Sequence, residues 1–160
     1  MPRASPFVHR NLPLLLLQAR EALMRRHRPA LRERGLSDPQ WRVLRVLREH
    51  AEGLETGRLA ELSCTLGPSL TGMLGRMEQG GLVTRQRSPD DARCTLVRPT
   101  AAALALADDL CGSIEAQYRD LAIRLGEASL QRLYAQLEAV VALSAGADAE
   151  PAACDLETSA

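Results

Sequence analysis

The chain has 160 residues, 46% of them hydrophobic, enough for one domain or one domain with an appended element. Aromatic residues make up only 2%, so the core must be Leu, Val and Ala, which favours helix packing and argues against a β-sandwich. Net charge is zero, yet residues 1–98 hold 17 arginines against 10 acids and residues 99–160 hold 3 against 10, so the first part suits a polyanion.

Taken in order, residues 1–10 read as an irregular arm containing Pro2, Pro6 and two arginines. A helix follows from about Leu12 to Arg34, with Leu12, Leu16, Ala19 and Leu23 as its apolar stripe. Pro29 predicts a kink or interruption near Arg28, and Gly35 a stop. Ser37-Asp38-Pro39-Gln40 reads as a capping box, with Leu36 and Trp41 in the two hydrophobic-staple positions. That helix continues through Leu44 and Leu47 to about His50. A loop at Glu52-Gly53 leads to Thr56, the expected N-cap of a two-turn helix holding Leu59, Ala60 and Leu62.

The turn from Ser63 to Gly67 opens the stretch that organises the rest. Leu70, Met73, Leu74 and Met77 share one helical face, Pro68 suits the first turn, and Gly80-Gly81 supplies a left-handed stop. The opposite face carries Ser69, Thr71, Gly72, Gly75, Arg76 and Gln79. Each interior glycine costs about 1 kcal/mol against alanine. Small residues followed by an arginine let a helix lie close to a phosphate backbone or groove floor, which suggests the recognition helix of a helix-turn-helix. A short core helix with an ordinary polar face is the other reading.

After Gly81 the period becomes extended. Leu82–Arg87 and Arg93–Arg98 predict two strands around the turn-rich loop Ser88–Ala92, a hairpin placed as a wing, with Arg85, Arg87 and Arg93 making it basic. A merely solvated hairpin is the weaker reading beside a helix-turn-helix. Thr100 is a predicted N-cap for a helix to Leu125, striped by Leu104, Cys111, Ile114, Tyr118, Leu121 and Leu125. Gly126 breaks it, and a last helix from Glu127 to Leu143 keeps Leu130, Leu133, Leu137 and Val141 inside. The expected class is mainly α with a small β-wing. Residues 1–34 form an arm and dimerisation helix, 35–99 a winged helix-turn-helix, 100–143 two more dimerisation helices, and 144–160 a disordered tail. The helices left uncovered by the small winged domain imply a symmetric homodimer.

The longest apolar run, Ala101 to Ala107, is too short to span a bilayer, and no cleavage pattern follows Leu14–Leu17, so a cytoplasmic protein without a membrane partner is expected. Cys64, Cys94, Cys111 and Cys154 are widely spaced, with no Cys-x-x-Cys pair and no histidine at zinc-ligand spacing, so neither a metal nor a cofactor is expected. Small apolar residues in a reducing compartment is the plain reading of each cysteine. A redox-sensing thiol at Cys64 or Cys94 is the alternative. No catalytic constellation appears, and His9, His27 and His50 lie on separate elements, so an enzyme is not expected.

The order helix, helix-turn-helix, wing and two long helices resembles the MarR-type winged-helix transcriptional regulators. Asp91-Ala92-Arg93 followed by Leu96–Thr100 is similar to that family's wing signature and following strand. Asn11–Leu14, Gln18–Met24, Gln40–Arg45 and Pro68–Gly72 look like the subgroup that represses homoprotocatechuate-degradation operons. Pro99 stands where the family usually has leucine and Ala103 where glycine is common, a departure at the wing-to-helix junction. The resemblance implies a homodimeric repressor on a pseudo-palindromic operator. Ser69, Thr71, Gly72 and Arg76 would enter the major groove, Arg85 and Arg87 would line the wing, and Arg93 would meet the minor groove, with Asp91 orienting it or holding the loop. It also implies release by a small aromatic carboxylate, for which Arg20, Met24, His27 and Trp41 offer a cation and an apolar slot. The alternatives are that Arg20 pairs with an acid across the dimer and that Trp41 belongs to the core.

Overall fold

The computed structural model describes residues 8–87 and 94–147, in the order α1 (Leu12–Glu33), α2 (Asp38–Glu49), β1 (Leu54–Glu55), α3 (Thr56–Leu62), α4 (Gly67–Gln79), β2 (Val83–Arg87), β3 (Thr95–Pro99), α5 (Ala101–Leu125) and α6 (Glu127–Ala147). Two compact units divide the chain at Glu115/Ala116, within α5. Most of the expected arm and tail lie outside the described residues. Helix α6 runs to Ala147, four residues past its expected end.

In the first unit, the Asn11 side chain caps α1 by accepting from the Leu14 N–H at 3.0 Å, and Pro13 sits in the first turn. The expected interruption at Pro29 does not occur: α1 is one helix, although the missing proline N–H leaves it one backbone bond short. Only His27 and Leu31 of α1 are buried, while Leu12, Leu14, Leu15 and Leu17 are exposed. Of the predicted apolar stripe, Leu12 and Ala19 are exposed and Leu16 and Leu23 half-buried. Helix α1 ends at Gly35 with φ +68°, where the Leu36 N–H bonds the Leu31 carbonyl and the Gly35 N–H that of Arg32, a Schellman motif.

Both bonds of the capping box are present at the start of α2, and Leu36 and Trp41 are buried as a staple requires. Val43, Leu44 and Leu47 of α2 join Leu59 of α3 and the apolar face of α4 in one core. Each such side chain contributes roughly 1.5–3 kcal/mol by leaving water.

Strand β1 was not foreseen. It completes an antiparallel sheet of order β1-β3-β2, pairing Leu54 with Val97, while β2 pairs Val83 with Pro99 through Arg87 with Thr95. Gly53, at φ +101°, brings the chain so close to β3 that a Cβ there would stand 2.6 Å from Arg98 Cγ and 2.8 Å from the Val97 carbonyl oxygen. Arg98 then spans the sheet, donating to the Glu52 carbonyl at 2.7 Å and to Gln86 Oε1 at 3.0 Å. The expected cap at Thr56 is corrected. Glu55 occupies the N-cap without a side-chain bond, and the Thr56 hydroxyl donates to the Thr95 carbonyl at 3.0 Å, because pairing with β3 draws it towards the sheet.

The Thr100 hydroxyl caps α5 as expected, accepting from the Ala103 N–H at 3.1 Å. The buried face of α5 in this unit is Ala103, Ala107, Leu110 and Ile114, not the predicted Leu104 and Cys111. Two alanines let the helix axis approach the core closely, and Leu104 is left half-buried beside them. The departures at Pro99 and Ala103 are accommodated, since Pro99 still pairs with Val83 and Ala103 lies inside.

In the second unit, Gly126 at φ +83° separates α5 from α6. Leu130 is buried, but Leu133, Tyr134, Val140, Val141 and Leu143 are exposed among the described residues, so Leu133 and Val141 do not take the inner positions expected of them. No helix among the described residues is long and apolar enough to cross a membrane.

Candidate functional site

Helix α4 divides sharply between its two faces. Leu70, Met73, Leu74 and Met77 are at most 5% exposed, whereas Ser69, Thr71, Gly72 and Arg76 face solvent. A Schellman motif fixes its end: Gly80 is the C-cap, Gly81 has φ +70°, and the Leu82 N–H bonds the Met77 carbonyl at 2.8 Å. That stop turns the chain into β2 within three residues, so helix and hairpin are held as one piece. The interior glycines have no packing role among the described residues. A Cβ at Gly72 would have only the Arg76 guanidinium within 4 Å, and one at Gly75 nothing. The Thr71 hydroxyl donates back to the Gly67 carbonyl at 3.1 Å, leaving its lone pairs outward.

The helix before α4 ends in the same motif with a different residue. Cys64 takes φ +48°, the position usually given to glycine, with the Thr65 N–H on the Ala60 carbonyl and the Cys64 N–H on that of Glu61. Ser63 is buried and donates to the Leu59 carbonyl. Cys64 is exposed, Cys94 half-buried and Cys111 exposed. Cys154 lies outside the described residues.

The hairpin's arginines differ in what they are tied to. Arg85 grips Glu78 of α4 with Nε at 2.9 Å and Nη2 at 2.6 Å, and its backbone N–H reaches the same carboxylate. This guanidinium holds the Glu78 carboxyl below its usual pKa, and the pair locks β2 to α4. Arg85 is thus already half-neutralised, whereas Arg87 is exposed with no ion pair among the described residues. Asp91 and Arg93 lie outside the described residues.

Of the four ligand candidates, Arg20 lines an open cleft of about 950 Å³ between α1 and the start of α2, together with Arg28, Arg32, Asp38 and Arg42. Met24, His27 and Trp41 do not line it. Trp41 is packed as the staple partner of Leu36, and burial pushes the His27 imidazole below its usual pKa, against a smaller upward pull from Asp38. Arg28 is committed internally: it bonds Asp38 at 2.8–2.9 Å and also grips Glu21, whose carboxyl its guanidinium holds below the ordinary range. Arg20, Arg32 and Arg42 make no ion pair among the described residues, so the cleft keeps uncompensated positive charge. Sequence reasoning did not single out Arg32, Arg42 or the Glu78 clamp. The run Gln40–Arg45 contained the one available signal, an arginine a single turn into a capped helix.

A profile of the MarR family matches residues 36–95, from the staple to the hairpin. The homoprotocatechuate degradative operon repressor of Escherichia coli is 38% identical over 136 residues, 85% of this chain and 91% of that protein. The transcriptional regulator FarR of Neisseria gonorrhoeae is 37% identical, over 69% of this chain and 75% of its own. Among solved structures, that of NadR in complex with 4-hydroxyphenylacetate superposes with a TM-score of 0.78 at 35% identity, covering 88% of this chain and 97% of that one. A capped α2, a two-faced α4 locked to its hairpin, and similarity along nearly the whole length of a repressor lead to one conclusion: the chain belongs to the MarR family and is a transcriptional regulator rather than an enzyme.

Proposed function

We propose that the protein is a homodimeric repressor that binds a pseudo-palindromic operator and is released by a small aromatic acid, controlling an aromatic-compound degradation operon of the homoprotocatechuate type. The observation that carries the DNA-binding part is the open face of α4. Two glycines with nothing in the chain to accommodate, beside Ser69, Thr71 and Arg76, form a surface that another molecule can approach closely. Arg76 can pair bidentately with a phosphate or a guanine. Arg87 and Arg93 would extend the contact along the hairpin, with Asp91 orienting Arg93. Residues 35–99 are the DNA-binding domain in this reading, and residues 1–34 and 100–143 supply dimerisation helices, supported by the exposed leucines of α1 and the exposed apolar residues of α6.

The cleft bearing Arg20 is the preferred place for the acid. It offers free guanidinium groups to a carboxylate beside the apolar Leu17 and Leu36, with Met24, His27 and Trp41, which do not line it, as further candidates. NadR, at 35% identity, has been solved with a hydroxylated phenylacetate. The test is binding of the dimer to DNA flanking its own coding region, with and without homoprotocatechuate or 4-hydroxyphenylacetate. Sequence-specific binding released by the acid in the wild type, but poorly in Arg20→Ala, is the expected result. Release that is unchanged in Arg20→Ala removes Arg20 from the pocket, and failure of every aromatic acid tested removes the subgroup.

A second reading, thiol-based sensing, is favoured by one observation: Cys64 is exposed in the turn directly before α4, and Arg42 and Arg76 line the same cleft. Oxidant-driven release from DNA that survives Cys64→Ser and Cys94→Ser would end it.

A further inference from the structure

Another cleft, about 630 Å³, opens where the first turn of α2, the α3–α4 turn and the exposed face of α4 meet. Its polar lining is Ser37, Gln40, Arg42, Thr65, Ser69 and Arg76, and no carboxylate among the described residues lines it. That sets it apart from the arginines elsewhere that are already satisfied, Arg28 by Glu21 and Asp38 and Arg85 by Glu78. Neither Arg42 nor Arg76 makes an ion pair among the described residues. Arg42 Nε is buried and has no hydrogen-bond partner among the described residues. Buried charged donors are almost always paired, so an orphan at the wall of a cleft marks a place where something outside the chain supplies the acceptor. The cleft also adjoins the start of α4, a 13-residue helix whose N-cap, Leu66, gives no side-chain bond, so its first-turn N–H groups and positive dipole end lack a protein cap. Two guanidinium groups, hydroxyls and an uncapped helix start form a donor set matched to a tetrahedral dianion or diester oxygens.

Ser69 and Arg76 belong both to this cleft and to the exposed face of α4, so whatever lies along that face reaches the cleft without a turn. We propose that Arg42 of α2, together with Arg76, holds a phosphodiester of the DNA backbone in this cleft, a contact supplied from outside the recognition helix and the wing. The proposal rests on the DNA-binding reading given above. Held there, the phosphate fixes how far α4 enters the groove, because α2 is braced to the core through Trp41, Val43 and Leu44 and cannot follow a sliding helix.

The test uses the full-length dimer and two labelled duplexes of equal length, operator and scrambled, titrated from about 50 to 200 mM salt. Arg42→Ala should weaken both duplexes by the same factor, roughly tenfold at the low-salt end, and flatten the plot of log K against log salt by about two per dimer, one phosphate for each subunit. Arg42→Lys keeps a point charge and should keep the slope while losing part of the affinity. A purely structural role would instead lower the melting temperature and leave the salt slope alone. If Arg42→Ala does not fold, Arg42→Gln carries the same comparison. Unchanged affinity and slope in the charge-removing variant overturn the site. So does a loss confined to the operator, which would make Arg42 a reader of bases. A wild type that binds neither duplex removes the DNA-binding reading itself, an outcome distinct from a wild type that binds and a variant that binds equally well.

Discussion

Helices α4 and α6 each carry several large apolar side chains, with opposite fates. Every apolar residue on the inner face of α4 is covered by its own chain, with α3 and β2 packed against the helix. Helix α6 has one buried residue, Leu130, and presents Leu133, Tyr134, Val140, Val141 and Leu143 to solvent. The difference lies in what surrounds each helix. Helix α4 is short, stopped at both ends, and followed within three residues by a strand that folds back onto it. Helix α6 is the last described element. The first pattern makes a self-sufficient unit, while the second leaves an exposed apolar surface, which the proposed reading covers with a second copy of the chain.

Four measurements can break or sharpen that contrast. Leu74→Ala, at a site 1% exposed, should cost about 2–5 kcal/mol in urea unfolding, by an amount independent of protein concentration. Val141→Asp, at a site 68% exposed, should leave the winged unit folded but shift the dimer towards monomer in sedimentation, and make the melting temperature steeply concentration-dependent. Should Val141→Asp lower stability equally at all concentrations, α6 is an internal element and the contrast fails.

A smaller effect concerns acid. Burial holds the His27 pKa below its unfolded value of about 6.5, so the unfolded chain binds the extra proton first. The contribution of a neutral His27 is complete above pH 6.5 and is lost as pH falls through the lower folded value. The urea midpoint of the wild type should therefore drop on going from pH 7.5 to 5.5 by more than that of His27→Gln. Equal drops would assign the acid sensitivity elsewhere. The smallest effect separates the two faces of α4 itself. Gly72→Ala should stabilise the helix by roughly 1 kcal/mol, since no described atom but the Arg76 guanidinium lies within 4 Å of the new Cβ, while weakening DNA binding. Stabilisation with unchanged DNA affinity would leave the glycine without a reason.

What the sequence made legible was local. The Ser37–Gln40 box, the Leu36–Trp41 staple, the Thr100 cap, the Gly81 stop and the face of α4 each depend on a few neighbouring residues, and each is found where it was read. The elements it hid depend on distant partners. Two residues, Leu54 and Glu55, become a strand only because β3 lies beside them, and that pairing takes Thr56 away from its cap. The inner face of α5 is set by alanines whose value is closeness rather than hydrophobicity, so a periodic search for leucine missed it. In the candidate site the exposed residues of α4 were readable as a pattern. The Glu78–Arg85 clamp and the role of Arg28 were not, because each needs the fold to bring an acid to its arginine.

Ser37, Pro39, Gln40 and Arg42 line both the cleft that contains Arg20 and the cleft beside Arg76. The start of α2 is therefore one partition with two sides, and its hydrogen-bonded cap makes it rigid. Thermodynamics then demands reciprocity: if an occupant on one side loosens the occupant on the other roughly tenfold, about 1.4 kcal/mol, it is loosened by the same factor in return. The effective inducer concentration is then not a constant of the protein. It rises with the fraction of dimers resting on DNA, specific or not, so the amount of DNA around the regulator sets its threshold as surely as the chemistry of the pocket does.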